Sequence, residues 1–193
     1  MQSHFLIITG MSGAGKTQVV RTLEDLNFFC IDNLPATLIP KFAELCRQTS
    51  EEKVALVVDI RGGRFFDKLL QVLDEMEASG QKYELLFLDA SDATLVRRYK
   101  ETRRRHPLGE RNTLLKNITC ERELLDPLRE KATHIIDTST LTTAQLKAKV
   151  TEMFGEGSSK ERMGIVVRSF GFKHGLPLDS DLVLDVRFLP NPF

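Results

Sequence analysis

The chain has 193 residues, 41% of them hydrophobic and 28% charged, which excludes a disordered polar chain that could not offset its own ordering entropy. Its 27 Lys+Arg balance 27 Asp+Glu, for a formal net charge of zero and a pI of about 6.9; this excludes a uniformly basic polyanion-binding surface but not a local basic patch. At roughly 100–200 residues per domain the length predicts one domain plus a remainder, and the apolar runs fall far short of the roughly 18 residues a membrane span needs.

Phe5–Thr9 is a short apolar run of buried-strand type, followed by a glycine-rich turn over Gly10–Gly15. From Lys16, apolar residues recur at Val19, Val20, Leu23 and Leu26 with helical spacing. Phe28–Ile31 predicts a second strand, ended by Asp32-Asn33-Leu34-Pro35, and Pro40–Arg47 a helix. Val54–Asp59 predicts a third strand and Phe65–Glu77 a helix. Leu85–Leu88 predicts a fourth strand, closed by Asp89, with helices over Ala93–Arg104 and Leu114–Lys131. Ile135-Ile136 predicts a fifth strand, closed by Asp137, and Thr143–Phe154 the last helix of the series.

Strands alternating with helices predict an α/β fold, a layered sandwich around a five-stranded parallel sheet. Residues 1–154 form this domain, 155–163 read as a glycine-serine linker, and 164–193 as the incomplete start of a second domain. Gly164–Phe172 and Asp181–Phe188 predict two strands there, making a short β-rich fragment. The cysteines Cys30, Cys46 and Cys120 are odd in number and form no C-x-x-C pair, so they read as thiols of a reducing compartment. Met1-Gln2-Ser3-His4 leads into the first strand without a basic n-region, and a cytoplasmic location is expected.

Gly10-Met11-Ser12-Gly13-Ala14-Gly15-Lys16-Thr17 fits G-x-x-x-x-G-K-[ST] between a strand and a helix, the context a phosphate loop requires. Its glycines let the backbone wrap a phosphate and aim N–H groups at it, and the helix adds its positive end. Lys16 is placed to reach β- and γ-phosphates, and the Thr17 hydroxyl to ligate Mg²⁺. Asp59, at the end of the third strand, has the position of the second Mg²⁺-side acid, although a turn-capping role is the alternative. Arg61 faces phosphates or solvent; Asp89 and Asp137 read as turn or helix-start residues, and Thr138–Thr140 as a segment that could touch a base. Arg97, Arg98, Lys100, Arg103, Arg104 and Arg105 form a basic cluster, with Arg97, Lys100 and Arg104 near one helix face. It reads as a lid over a transferring phosphoryl group, a patch for RNA phosphates, or a solvated face. His4, His106, His134 and His174 have no metal-ligand spacing.

ITGMSGAGKT, FFCIDNLP, VVDIRGG, FLDASDATLVRRYKETRRRHPL and HIIDTSTL, in this order, resemble the RapZ/YvcJ family of P-loop nucleotide-binding proteins. SFGFKHGLPLDSDLVLDVRFLPNP is similar to the opening of that family's C-terminal domain. The resemblance implies a kinase-like N-terminal domain, ATP binding at Gly10–Thr17, GTP binding at Asp59, Ile60, Arg61 and Gly62, and ATPase and GTPase activity. It also implies small regulatory RNA or a protein partner for the C-terminal domain.

The expected activity is slow, regulatory hydrolysis of ATP and GTP, with Lys16 and Asp59 as catalytic residues and Thr17 and Asp59 holding Mg²⁺. The alternatives are a small-molecule kinase of adenylate-kinase type, for which Asp32-Asn33 would serve the acceptor, and an RNA-binding RNase adapter. A homo-oligomer is compatible with all three.

Overall fold

The structure, a computed structural model, describes residues 4–49, 53–58, 63–103, 106–109 and 113–155, and in the C-terminal segment residues 166–171, 173, 175–178, 180–185 and 187–190. The chain divides into two compact units, Met1–Ser158 and Ser159–Phe193.

The first unit runs β1 His4–Gly10, α1 Lys16–Asp25, β2 Phe29–Asp32, a 3₁₀ turn Ala36–Leu38, α2 Ile39–Thr49, β3 Lys53–Val57 and α3 Gly63–Ala78. It continues with β4 Glu84–Asp89, α4 Asp92–Thr102, α5 Leu114–Lys131, β5 His134–Asp137 and α6 Thr143–Phe154. The five strands form one parallel sheet in the order β2-β3-β1-β4-β5. Leu6, Ile7 and Ile8 are consecutive in β1, so they point to alternate faces, yet none is more than 2% exposed. Both faces of the sheet are therefore covered at its centre, as a parallel sheet with crossover helices requires, while the edge strands β2 and β5 are partly exposed. Helix α1 packs against α6, while α3 packs against α2 and α5.

This order positions the site. The chain leaves β1 toward the β2 edge and leaves β3 toward the β4 edge, and β1 and β3 are neighbours. In open α/β sheets the ligand crevice opens beyond the carboxyl ends of such a strand pair. The glycine-rich turn follows β1 at that point.

Each predicted strand and helix of the first unit has its counterpart, with two differences near the site. Helix α4 stops at Thr102, short of the expected Arg104, because Arg103 takes a left-handed conformation (φ 51°) that ends the turn. Arg104, expected on the face of Arg97 and Lys100, lies outside the described residues, as does Arg105. Strand β3 ends at Val57, and Asp59, Ile60, Arg61 and Gly62 also lie outside them.

The second unit departs from expectation more fully. Its described residues form no strand, so the two predicted over Gly164–Phe172 and Asp181–Phe188 are not made there. The apolar side chains that would face a core are exposed, Val166 at 83% and Val167 at 91%. Two strands with no apolar surface to cover are marginal in water. Arg187 pairs locally with Asp185, and its hydrogen bonds hold the Asp185 carboxyl down at about 2.

Gly10 makes the closest approach in the sheet. It has φ 133°, and a Cβ there would stand 2.1 Å from Leu88 O in the neighbouring strand β4. The Gly10→Ala variant should lose about 3 kcal/mol or more from backbone overlap and strain. Thermal melting should show this as a fall of about 6–12 °C. The thiols make a second prediction. Cys120 is exposed and Cys46 buried; Cys30 is half-buried, and burial, with Glu24 nearby, pushes its thiol up to about 11. A disulfide reagent at pH 8 should therefore modify one thiol per chain quickly, and the other two only in denaturant.

Candidate functional site

A cleft of about 1050 Å³ opens at the carboxyl ends of the strands. The loop residues Ser12, Gly13, Gly15, Lys16 and Thr17 line one side, with Asp32, Asn33 and Val57 from the ends of β2 and β3. Arg98, Tyr99 and Thr102 of α4, with His106 and Pro107, line the other. The structure thus brings together the phosphate-loop residues, the acid-amide pair after β2 and part of the basic cluster.

The loop is held by its carbonyl groups. Lys16 Nζ donates to Gly10 O at 2.8 Å and to Met11 O at 3.3 Å. Arg98 Nη1 donates to Gly13 O at 3.0 Å, and the Thr138 hydroxyl to Ala14 O at 2.8 Å. Arg98 is itself fixed by Thr138, through Nη1 to the hydroxyl (3.0 Å) and Nη2 to the backbone oxygen (2.7 Å). Burial, and then its neighbour Arg97, lower the Arg98 guanidinium from its ordinary value, yet a guanidinium remains charged at any physiological pH. With these carbonyls engaged, the N–H groups of Gly13, Gly15 and Thr17 meet no protein acceptor among the described residues. Gly15, at φ 104°, caps α1 without a side-chain bond, so the first turn of that helix presents its open N–H groups here.

Three residues matter more to this geometry than sequence reasoning assigned them. Glu121, on α5, is only 5% exposed and lies against the loop. It accepts from Ser12 N–H at 3.2 and 3.3 Å and from the Ser12 hydroxyl at 2.5 Å. His106, 6% exposed, meets the same carboxylate through Nε2 at 3.2 Å. Thr138, read from the sequence as within a segment that could touch a base, braces the loop. A signal for Glu121 was available: with Ile118, Leu125 and Leu128 it forms the buried stripe of α5, and an acid inside an apolar stripe needs a partner.

The other acidic strand ends do structural work. Asp89 accepts from Ala90 N–H at 2.8 Å and from Arg122 Nη1 at 2.6 Å, and Arg129 Nε lies 3.4 Å away. Arg122 also holds Asp92 and Ala90 O, which pins α5 to the start of α4. Asp137 accepts from the Ser139 hydroxyl and from Ser139 N–H, and these bonds lower its carboxyl. Among the described residues no group of three or more His, Cys, Asp or Glu could hold a metal ion. No described helix is long and apolar enough to cross a membrane.

Comparison with known proteins places this architecture. The RapZ-like N-terminal domain matches residues 3–158 and the RapZ C-terminal domain matches residues 163–193. A nucleotide-binding protein of Clostridium botulinum strain Hall is 57% identical over 192 residues, covering 98% of this chain and 65% of its own length. One from Clostridium kluyveri is 55% identical over 192 residues, covering 98% and 66%. The chain thus spans about 65% of the length of the curated relatives it matches. Among solved structures, shikimate kinase from Acinetobacter baumannii has a TM-score of 0.54 at 19% identity, covering 79% of this chain and 93% of that one. Shikimate kinase from Bacteroides thetaiotaomicron has a TM-score of 0.52 at 21% identity, covering 78% and 96%. At such identities the likeness is one of fold, that of the P-loop kinases. With a phosphate-loop domain of this architecture and a family match across nearly all of its length, the chain belongs to the RapZ-like family of nucleotide-binding proteins.

Proposed function

We propose that the loop Gly10–Thr17 binds the phosphates of ATP and GTP, and that the chain hydrolyses them slowly as a regulatory NTPase. The observation that carries this reading is the braced loop. Its carbonyls are tied to Lys16, Arg98 and Thr138, and its N–H groups at Gly13, Gly15 and Thr17 meet no protein acceptor among the described residues. Converging N–H groups at a helix N-terminus make an anion site, and the orienting bonds are made before a ligand arrives.

In this reading Lys16 supplies positive charge to the β- and γ-phosphates. Arg98, lining the same cleft, adds a second cation, although its hydrogen bonds serve the loop rather than a ligand. Thr17 lines the cleft with a hydroxyl oxygen, the hard donor that Mg²⁺ takes when phosphates and water fill most of its shell. Mg²⁺ would neutralise charge on the phosphate oxygens. Asp59, two residues beyond β3 in sequence, is assigned to orient the ion or the attacking water. The assignment of GTP to Asp59–Gly62 rests on the family resemblance.

A second reading draws on the shape of the cleft, which runs past the loop to Asp32 and Asn33. Asn33 sits at φ 61°, with its N–H bonded to Val57 O at 3.0 Å, so this corner has a fixed backbone. A hydroxyl-bearing small molecule bound there would be a phosphoryl acceptor. Under that reading a panel of polar metabolites should contain one that accelerates ADP formation; hydrolysis indifferent to all of them favours the regulatory NTPase.

Two measurements test the first reading. The Lys16→Ala variant should lose phosphate release by about 10²–10³-fold, with weakened binding of ATP and GTP and an unchanged far-UV spectrum. Unchanged binding and hydrolysis in that variant would remove the proposal. Chelating Mg²⁺ should abolish turnover in the wild-type chain and restore it on readdition.

A further inference from the structure

We propose that Glu121 and His106 are positioning residues, a buried relay that sets the phosphate loop at Ser12 and registers the segment after α4 against it. The inference rests on the nucleotide reading above and adds to it two residues that touch no ligand in that reading.

The hydrogen-bond pattern defines the relay. Leu108 N–H donates to His106 Nδ1 at 3.3 Å, so the ring hydrogen sits on Nε2 and donates to Glu121 Oε2 at 3.2 Å. Glu121 Oε1 takes the Ser12 hydroxyl at 2.5 Å, and the Ser12 N–H is shared between both oxygens. Three donors thus converge on one buried carboxylate, which accepts from all of them as an anion does. The Ser12 N–H is spent on Glu121, which leaves those of Gly13, Gly15 and Thr17 for the cleft.

Each member is held from outside the relay. Arg122, next to Glu121, is clamped to Asp89 and Asp92, which fixes α5 in register. The ring of Tyr99 on α4 lies 5.2 Å from the His106 ring, centroid to centroid. Asn117 Nδ2 donates to Gly109 O at 2.7 Å, a second bond between α5 and the segment that carries His106. Ser12 and His106 both line the cleft, while Glu121 stands behind them. The loop and the opposite wall of the cleft are therefore joined through one carboxylate.

Donor and acceptor matching makes the inference testable. In Glu121→Gln one oxygen becomes an NH₂ donor. Aimed at Ser12 N–H, it opposes a donor. Aimed at His106, it forces Nε2 to accept, which moves the ring hydrogen to Nδ1 and against Leu108 N–H. Either way one buried bond is lost. His106→Gln opposite the wild-type carboxylate keeps both roles, its NH₂ donating to Glu121 and its oxygen accepting from Leu108 N–H, whereas His106→Ala removes both.

Binding of fluorescent ATP and GTP analogues and steady-state turnover are measured on the full chain, with thermal melting as the check on folding. E121Q should bind nucleotide about tenfold more weakly or worse. The loss should fall on affinity, with turnover at saturating nucleotide kept. His106→Ala should lose affinity likewise and His106→Gln keep most of it, a split that follows hydrogen-bond roles and not side-chain volume alone. E121Q with wild-type affinity, or H106Q no better than H106A, overturns the relay. If E121Q does not fold, His106→Ala and His106→Gln decide: weaker binding in the first, restored in the second, supports the relay, and unchanged binding in H106A overturns it. A wild-type chain that binds neither nucleotide removes the underlying reading as well, which separates the two failures.

Discussion

The peptide groups of the phosphate loop can offer their N–H donors to a ligand only if their carbonyls are satisfied elsewhere, because a buried polar group without a partner costs about 1–3 kcal/mol. Here that condition is met from several elements at once. Lys16 at the start of α1 holds Gly10 O and Met11 O, Arg98 on α4 holds Gly13 O, and Thr138 after β5 holds Ala14 O. The loop's shape is therefore a tertiary property. A glycine-rich segment alone has too much backbone freedom to hold it.

The sheet order supplies those elements. Strand β4 lies beside β1, and Met11 N–H donates to Leu88 O at 2.9 Å as Gly10 passes that strand. Strand β5 lies beside β4, which places Thr138, bonded through its N–H to Asp89 O at 2.9 Å, within reach of the loop. Helix α5, held by Arg122 at the end of β4, brings Glu121 to Ser12. A buried carboxylate behind a phosphate site is electrostatically adverse, and three donors at its two oxygens offset that cost.

Much of this fold was legible in the sequence. Continuous apolar runs at Val54–Val58 and Leu85–Leu88 marked β3 and β4, and the helical spacing from Lys16 marked α1, because burial in the layered core imposes both patterns. The loop was legible because its glycines, lysine and threonine act at fixed local spacing. The relay was not, because Ser12 and Glu121 meet across 109 positions of sequence, Ser12 fills a position the loop motif leaves open, and Glu121 belongs to no motif. The C-terminal strands failed for a related reason. An apolar run describes side chains that could be buried, and among the described residues Val166 and Val167 remain exposed.

The basic cluster shows most clearly how a charge count differs from a charge distribution. Arg97 and Arg98 are adjacent on α4, so their side chains leave the helix about 100° apart. Arg97 is exposed and reaches Glu101 at 3.9 Å, a contact of the kind that contributes little in water. Arg98 turns inward, and its guanidinium is spent on the oxygens of Gly13 and Thr138. Those partners are neutral dipoles, so they orient the cation without cancelling its charge. Asp89, by contrast, is met by the guanidinium groups of Arg122 and Arg129. A chain of zero net charge can thus hang a guanidinium on neutral partners at the wall of one cleft, a wall that Glu101 shares, while other guanidinium groups neutralise acids elsewhere. The attraction for an anionic ligand follows from which partners the charges have, and not from their sum.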